Sequence, residues 1–191
     1  MKHDMSEWNK MIEGVEYDSS DEYLVSVRKR ARKIFQRYNR TEEDPKVRRR
    51  LLEKLIKQPV DKTVFIEPPF FCDYGVNITF GKNFYANFNC VILDCGRVQI
   101  GKNTLLGPGV QIYTATHPVN PSARRSHLES AYPVTIGDNV WIGGGSIILP
   151  GVTIGNNSVI GAGSVVTKDI PDDVVAVGNP CRVIRTITPD T

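Results

Sequence analysis

Residues 136–166 read IGDNVWIGGGSIILPGVTIGNNSVIGAGSVV, and this stretch decides the fold. An aliphatic side chain returns at every sixth position, which gives the series Ile136, Ile142, Ile148, Ile154, Ile160 and Val166. Two residues before each of these stands a small or β-branched residue, namely Val134, Val140, Ser146, Val152, Ser158 or Ser164. A helix repeats its apolar positions every three or four residues and a half-buried strand every two, so a period of six fits neither. It predicts a parallel β-helix, in which each aliphatic points inward and stacks on its equivalent one coil above.

The same period extends upstream of this stretch. Ile100, Leu106 and Ile112 are six residues apart, and the step of 24 residues from Ile112 to Ile136 is four periods, so both blocks share one phase. Asn and Gly recur between the aliphatics, as in residues 137–139 and 155–157, and both tolerate the left-handed backbone that sharp corners need. The sequence therefore predicts a β-helix over residues 63–185, with a short tail at 186–191.

Charge divides the chain near residue 62. The 191 residues carry a net charge of +3, but residues 1–62 hold 16 Lys/Arg and 12 Asp/Glu, against 8 and 9 in the remainder. We expect residues 1–62 to form a helical cap with amphipathic helices at 21–39 and 45–57. Ser20 or Asp21 is a suitable cap for the first helix and Asp44 for the second, where Pro45 fits the first helical position.

The composition also excludes several classes of protein. No run of about 18 apolar residues exists, so no membrane span is expected. The N-terminal MKHDMSEWNK lacks the apolar core of a secretory signal, which predicts a cytoplasmic protein. Four cysteines without a CxxC pair predict reduced thiols. The basic residues of 28–50 are mixed with acidic ones, which favours a solvated helical face over a nucleic-acid partner.

The period of six breaks between Tyr113 and Pro133, which predicts one loop protruding at residues 113–133. Loops on rigid scaffolds often carry functional residues. His117 lies where the regular coil ends, in YTATHP, whereas His3 is near the N-terminus and His127 is at the polar tip of the loop. An imidazole suits a general base at neutral pH, so His117 is the candidate catalytic residue, with a purely structural imidazole as the alternative.

Longer motifs carry a family resemblance. IGDNVWIGGGSIILPGVTIGNNSVIGAGSVVTKDIP resembles the hexapeptide-repeat acyltransferases, whose fold is a left-handed β-helix. EPPFFCDYGVNITFGKNFYANFNCVILD, YTATHPVNPSARRS, VGNPCRVIR and the front end MIEGVEYDSSDEYL resemble the maltose and galactoside acetyltransferase group of sugar O-acetyltransferases. The resemblance implies a mainly β, left-handed parallel β-helix. It also implies acetyl transfer from acetyl-CoA to a sugar hydroxyl, His117 as general base, no metal, and a homotrimer with active sites between subunits.

The resemblance implies a set of acceptor-binding residues. They are Asp73 in CDYG, Tyr85 and Asn87 in YANFN, Asp94, and Glu129 after the loop tip. Glu129 either binds the sugar or orients His117. It stands where the maltose-like subgroup has a glutamate, while Ser19 stands where the galactoside group has an aspartate, which makes a galactoside preference doubtful.

A second set of residues is implied for the donor. Coenzyme A needs small residues along its pantetheine arm and cations at its phosphates. The residues at the matching positions are Trp141, Gly144, Ala162, Thr167, Lys168, Arg182 and Arg185. The backbone N–H of Gly144 would stabilise the oxyanion of the reaction. The alternatives are a basic, solvated tail for the cations, and a core position for Trp141.

Three other functions deserve comparison with sugar acetylation. The same fold could acetylate another hydroxyl, on an antibiotic or an amino acid. A zinc carbonic anhydrase with this repeat would need three histidine ligands, and the body of the chain has only His117 and His127. A catalytically inactive trimerisation scaffold would have no reason to keep a histidine in the loop at 113–133.

Overall fold

The computed structural model describes residues 6–40 and 44–188, so His3 and the end of the predicted tail lie outside it. The N-terminal cap comprises α1 (Glu7–Ile12), β1 (Tyr17–Asp18), α2 (Glu22–Arg40) and α3 (Pro45–Ile56). The two longer helices match the sequence prediction to within one residue. Asp21 begins α2 by accepting the N–H groups of Tyr23 and Leu24, and Asp44 caps α3 through the N–H of Lys46. The short α1 and β1 were not expected from the amphipathic pattern.

Short strands make up the body. They are β2 (Phe65–Ile66), β3 (Phe70–Cys72), β4 (Ile78–Phe80), β5 (Tyr85–Ala86), β6 (Cys90–Leu93), β7 (Val98–Ile100), β8 (Leu105–Leu106), β9 (Gln111–Tyr113), β10 (Ala115–Thr116), β11 (Leu128–Ala131), β12 (Val134–Ile136), β13 (Trp141–Ile142), β14 (Ile147–Ile148), β15 (Thr153–Ile154), β16 (Val159–Ile160), β17 (Val165–Val166), β18 (Val174–Val177) and β19 (Arg182–Thr186). A further short helix, α4 (Pro121–Arg124), lies between β10 and β11.

Three parallel sheets run along the body and form the faces of a solenoid. Their strand orders are β15-β12-β7-β4, β17-β14-β9-β6-β3 and β18-β16-β13-β8-β5-β2, and β19 pairs antiparallel with β18 at the far end of the last sheet. Ile136 pairs with Ile100 on one side and Ile154 on the other, so equivalent aliphatics stack from coil to coil. The predicted parallel β-helix is confirmed.

The aliphatic column forms the core of this solenoid. Ile142, Ile148, Ile154, Ile160 and Val166 have no exposed surface. The small residues two positions earlier are buried as well, which keeps the interior densely packed. Apolar side chains of α2 and α3 extend the same core over the first coil. Asn39 of α2 pairs both ways with the backbone of Phe70, at 2.8 and 2.9 Å, and so covers the open edge of β3.

Asparagines occupy one corner of successive coils. Asn83, Asn103, Asn139 and Asn157 have φ between 55° and 58°, the left-handed conformation predicted for corners. Each donates its side-chain N–H to the next residue of the stack, at 2.8 to 2.9 Å, and the series ends on Asp173. A side-chain ladder therefore reinforces the backbone ladder.

One coil is much longer than the others. Successive aliphatics are 18 residues apart from Ile136 to Ile154, but 36 apart from Ile100 to Ile136, although both pairs are direct neighbours in the sheet. The extra residues leave the solenoid as the hairpin β10–β11. The N–H of Tyr132 donates to the carbonyl of Thr114 at 2.8 Å, so the two ends of the excursion meet.

Candidate active site

The excursion is a braced hairpin. Strands β10 and β11 pair antiparallel, and β11 also pairs with β1 of the cap, with Tyr17 opposite Glu129 and Asp18 opposite Leu128. Beyond β10, Asn120 caps α4 through the N–H groups of Ser122 and Ala123. Arg124 donates from Nη1 to the carbonyls of Pro118 and Val119. The cap and these local contacts therefore hold the segment that follows His117.

His117 is exposed at the end of β10 and faces a pocket of about 520 Å³. The pocket is lined by Ser19, His117, Pro121, Arg124, Arg125, His127 and Glu129. Ser19 comes from the cap, so the front end of the chain contributes to this pocket. No hydrogen bond in the described residues joins Glu129 to His117. Imidazole, carboxylate and hydroxyl groups thus share one polar cavity.

A cluster of partly buried polar groups lies beside this pocket. The Tyr17 hydroxyl donates to Oε2 of Glu129 at 2.8 Å, and the Cys95 thiol donates to Oδ2 of Asp73 at 3.5 Å. Burial raises the pKa of Asp73, while the Cys95 hydrogen bond and the nearby Arg28 guanidinium oppose that rise. Burial also raises the pKa of the Cys95 thiol and of the Tyr17 phenol, so both stay protonated donors at neutral pH.

A separate groove runs along the outer face of the sheet that contains β13 and β16. It has a volume of about 460 Å³ and is lined by Tyr85, Asn87, Leu105, Leu106, Gly107, Pro108, Trp141, Gly143, Gly144, Val159, Ile160, Gly161 and Ala162. Trp141 is 55% exposed, so it forms a wall of the groove and is not a core residue. The groove collects Trp141, Gly144 and Ala162 of the predicted donor site.

The glycines of this groove are required by the close stacking of coils. A Cβ on Gly107 would lie 2.5 Å from the nitrogen of Gly144, and one on Gly143 would lie 2.5 Å from the nitrogen of Ala162. No hydrogen bond within residues 6–40 and 44–188 uses the N–H of Gly144 or of Ala162. The groove therefore presents two backbone donors in an apolar setting, where a hydrogen bond to a developing negative charge is strong.

The predicted phosphate-binding cations lie at the far end of the solenoid. Thr167 and Lys168 follow β17, and Arg182 and Arg185 are on β19, all of them exposed. Arg182 donates from Nη1 to the carbonyl of Cys181 at 2.7 Å. Lys168 follows the end strand of one sheet, and the two arginines lie on the end strand of another.

Comparison with known proteins defines the family. The bacterial transferase hexapeptide family (six repeats) matches residues 133–168, and the maltose acetyltransferase hexapeptide capping motif matches residues 10–59. A maltose O-acetyltransferase from Clostridium difficile 630 is 52% identical, with a TM-score of 0.94 over 96% of this chain and 98% of that chain. The chain belongs to the maltose and galactoside acetyltransferase family.

Two further structures of this family hold the coenzyme, one as coenzyme A and one as acetyl coenzyme A. A galactoside acetyltransferase in complex with coenzyme A is 40% identical, with a TM-score of 0.88 over 97% of this chain and 93% of that chain. A hexapeptide-repeat acetyltransferase from Vibrio cholerae O1 biovar eltor, complexed with acetyl coenzyme A, is 34% identical, with a TM-score of 0.85 over 96% and 100%. These comparisons confirm the predicted left-handed β-helix and make the chain an acetyltransferase.

The acceptor residues predicted for this acetyltransferase divide between the two cavities. Tyr85 and Asn87 line the groove, where the Tyr85 ring stacks on Phe65 at 6.2 Å between centroids. The side chain of Asn87 accepts the N–H of Phe88. Glu129 lines the His117 pocket, and Asp73 is half-buried in the polar cluster beside it. Within one chain, the donor groove and the histidine pocket share no residue.

Asp94 does not fit the acceptor-binding role that the motif implied. It has no exposed surface, and its carboxylate accepts the N–H groups of Asp73 and Tyr74 on Oδ1 and of Asn77 on Oδ2. Burial raises the pKa of Asp94 to about 7, although the backbone donors oppose the rise. A carboxylate enclosed in this way shapes the turn that presents Asp73 and leaves no atom for a sugar.

Two members of the polar cluster were missed by reasoning from the sequence. Cys95 follows Asp94 in the bend after β6 and contacts Asp73, but a lone cysteine looks like an ordinary buried thiol. Tyr17 was counted only as part of the front end. Its place opposite Glu129 becomes visible only when β1 pairs with β11, and a two-residue strand leaves no periodic signal in the sequence.

Two further properties concern membranes and metals. In the part of the chain that the structure describes, no helix is both long and apolar enough to span a bilayer. Within the same residues, no three His, Cys, Asp or Glu side chains form a group able to hold a metal ion.

Proposed function

We propose that the protein transfers the acetyl group of acetyl-CoA to a hydroxyl of a sugar, with His117 as the general base. The observation that carries this proposal is the pocket itself. An exposed imidazole, a carboxylate and a serine line one cavity on a braced hairpin, and this hairpin belongs to an acetyltransferase. Sugars present several hydroxyls at fixed spacing, and polar groups from several chain segments are suited to recognise them.

The reaction needs two proton transfers, one from the acceptor hydroxyl to His117 and one from His117 to the leaving thiolate. A ring nitrogen of His117 takes the proton of the acceptor hydroxyl as its oxygen attacks the thioester carbonyl carbon. The tetrahedral intermediate carries its negative charge on oxygen, where the N–H of Gly144 donates a hydrogen bond. When the intermediate collapses, the C–S bond breaks, and the coenzyme A thiolate takes the proton from the imidazolium. The attack is direct, so no cysteine becomes acylated.

The groove is the proposed site of the donor. Its floor of small residues lets an extended pantetheine arm lie close to the backbone, and Trp141 forms one side. The N–H of Ala162 is then free to donate to an amide carbonyl of that arm. Thr167, Lys168, Arg182 and Arg185 provide hydrogen-bond donors and positive charge for the phosphates. The coenzyme A complex of the galactoside acetyltransferase relative supports this assignment.

A second copy of the chain is part of the proposal. Acyl transfer requires the hydroxyl and the thioester in contact, yet the His117 pocket and the groove share no residue within one chain. We propose a closed homotrimer in which the hairpin of one subunit reaches the groove of its neighbour. The outer face beside the groove supports such packing, because Phe65, Leu105 and Trp141 occupy one register of the same sheet and are 39%, 45% and 55% exposed.

The acceptor class and the location complete the proposal. Glu129 and Ser19 favour a glucose- or maltose-like acceptor, and the relative named as a maltose O-acetyltransferase supports that choice. All four cysteines are free, buried thiols, which fits a reducing cytoplasmic location.

A panel of acceptors tests the proposed function. Purified protein is incubated with acetyl-CoA and glucose, maltose, a galactoside or chloramphenicol, and the release of free coenzyme A is measured. We expect the highest kcat/KM with glucose or maltose. Activity confined to chloramphenicol would instead identify an antibiotic acetyltransferase, and no acetylation of any acceptor would contradict enzymatic function.

A further inference from the structure

Tyr17 and Glu129 form a contact between two distant parts of the chain. The register of β1 and β11 sets them side by side, and the Tyr17 hydroxyl donates to Oε2 of Glu129 at 2.8 Å. Tyr17 is only 1% exposed and Glu129 is half-buried, so the donor of this hydrogen bond is shielded from water. A hydrogen bond to a carboxylate is among the stronger ones in proteins.

The segment that carries Tyr17 is held in place from several sides. The N–H of Asp18 donates to Oε2 of Glu7 at 2.6 Å. Arg28 of α2 donates from Nη2 to the carbonyl of Ser19 and from Nη1 to the hydroxyl of Tyr74, both at 2.6 Å. The phenol of Tyr17 therefore reaches Glu129 from a fixed backbone.

Glu129 needs such a donor because of its surroundings. The carboxylate of Asp73 is close enough to repel that of Glu129, and this repulsion contributes to the raised pKa of Asp73. Tyr17 donates only to Oε2 of Glu129, and no hydrogen bond in the described residues uses Oε1. Glu129 also lines the pocket that His117 faces, where a ligand hydroxyl could reach the free oxygen.

We propose that Tyr17 is a positioning residue that holds Glu129 so that its free carboxylate oxygen accepts a hydrogen bond from a hydroxyl of the acceptor. The inference rests on the proposed function and deepens it, because it assigns Glu129 to acceptor binding and not to the orientation of His117. It also makes the cap a determinant of acceptor recognition.

The first experiment separates effects on the two substrates. In Tyr17→Phe, which keeps the ring and removes the hydroxyl, we expect the KM for the best acceptor of the panel to rise about 10-fold. The kcat and the KM for acetyl-CoA should change less than about 2-fold, because the base and the groove are untouched. Tyr23→Phe is the matched control, since Tyr23 lies in the same cap and is 57% exposed. A fall in kcat without a change in the acceptor KM would overturn the assignment.

The second experiment asks whether Tyr17 acts through Glu129. Glu129→Ala is compared with the double variant Tyr17→Phe/Glu129→Ala. We expect the double variant to have the same acceptor KM as Glu129→Ala alone, because the hydroxyl has nothing left to position. If the two changes multiply instead, Tyr17 supports the fold by another route and the proposal is wrong. The thermal midpoint of each variant shows whether it is folded. If Tyr17→Phe is destabilised, the comparison of acceptor KM between Glu129→Ala and the double variant decides whether Tyr17 acts through Glu129.

The unmodified protein distinguishes this inference from the proposed function. If it acetylates no acceptor in the panel, the proposed function fails. If it acetylates a sugar and Tyr17→Phe leaves the acceptor KM unchanged, the role of Tyr17 alone fails.

Discussion

The aliphatic column is fully buried and the polar cluster beside the His117 pocket is partly buried, and the two are held together in opposite ways. In the column, Ile142, Ile148, Ile154 and Ile160 meet similar neighbours above and below, coil after coil. In the polar cluster, Tyr17, Asp73, Cys95 and Glu129 come from the cap, two stretches of the solenoid and the hairpin, and each contact occurs once.

The fold depends on the repeated coils, and the polar groups of the candidate site lie where the repeat is interrupted. The column consists of equivalent aliphatic side chains in successive coils, so each coil adds to the stability of the solenoid. The polar cluster and the pocket arise where repetition stops, at the 36-residue coil and the cap that covers it. Changes in the two regions should therefore affect different measurements, stability in one and turnover in the other.

The largest effect is expected from a charge placed in the column. Ile154→Asp buries an unpaired carboxylate at a site with no exposed surface. The cost should be about 5 kcal/mol or more, comparable to the whole stability of a typical domain. Circular dichroism and size-exclusion chromatography should show loss of the fold. The control is Thr153→Asp, at the exposed neighbouring position, which should fold normally. A folded Ile154→Asp protein would falsify the inward-facing column.

The next effect concerns turnover and leaves the fold intact. His117→Ala should lower kcat by at least about 100-fold, the contribution of a general base. Acetyl-CoA affinity by calorimetry should stay unchanged, since a general base acts on the acceptor hydroxyl and not on the bound donor. His127→Ala, in the same pocket, is the control and should keep most of its activity. If the His127 variant loses more activity than the His117 variant, the wrong imidazole has been assigned.

A third effect is expected on the pH dependence of stability. Burial raises the pKa of Asp94 to about 7, whereas an unfolded aspartate titrates near 3.9. The folded chain thus binds this proton more tightly, so the contribution to stability is complete below about pH 4 and is lost as the pH rises through about 7. Urea unfolding should show the decline for the natural chain. Asp94→Asn cannot titrate there, so a slope as steep in that variant would refute the assignment to Asp94.

The smallest effect is expected at the exposed cations. Lys168→Ala combined with Arg185→Ala should raise the KM for acetyl-CoA by about 10-fold, since two exposed charge contacts contribute about 1.4 kcal/mol together. The KM for the acceptor should stay constant, and added salt should weaken the difference between the variant and the natural chain. Lys82→Ala, at another exposed corner, is the control. Equal changes in both KM values would argue against phosphate binding.

Sequence reasoning succeeded where a pattern repeats. The spacing of Ile136, Ile142 and Ile148 predicts short strands that each place one aliphatic side chain inward. It also predicts the stacking of the coils, because a core position in one coil is a core position in the next. The helices α2 and α3 were predicted from their amphipathic spacing and caps. The pocket was located in part, because the loss of the period at Tyr113 marked the hairpin and His117 with it.

The remaining parts of the site depend on pairings that no local pattern encodes. The family motif predicts that Asp94 binds the acceptor, but its buried carboxylate accepts hydrogen bonds from the backbone of residues 73–77. Adjacent residues of a strand face opposite sides or take different environments at a corner, so a motif position carries no direction by itself. Tyr17 reaches Glu129 across 112 positions in the sequence, through a strand too short to predict.

The closed base of the hairpin has a consequence for how the hairpin can vary. Thr114 and Tyr132 meet through one hydrogen bond at 2.8 Å, and the coils on either side stack as though nothing lay between them. The strands before and after the hairpin pair in the same register as those of the other coils, so the stacking does not depend on the length of the hairpin. The hairpin and its partner strand β1 can therefore change in length or sequence together, while the stacking of the coils and the groove on the outer face stays the same.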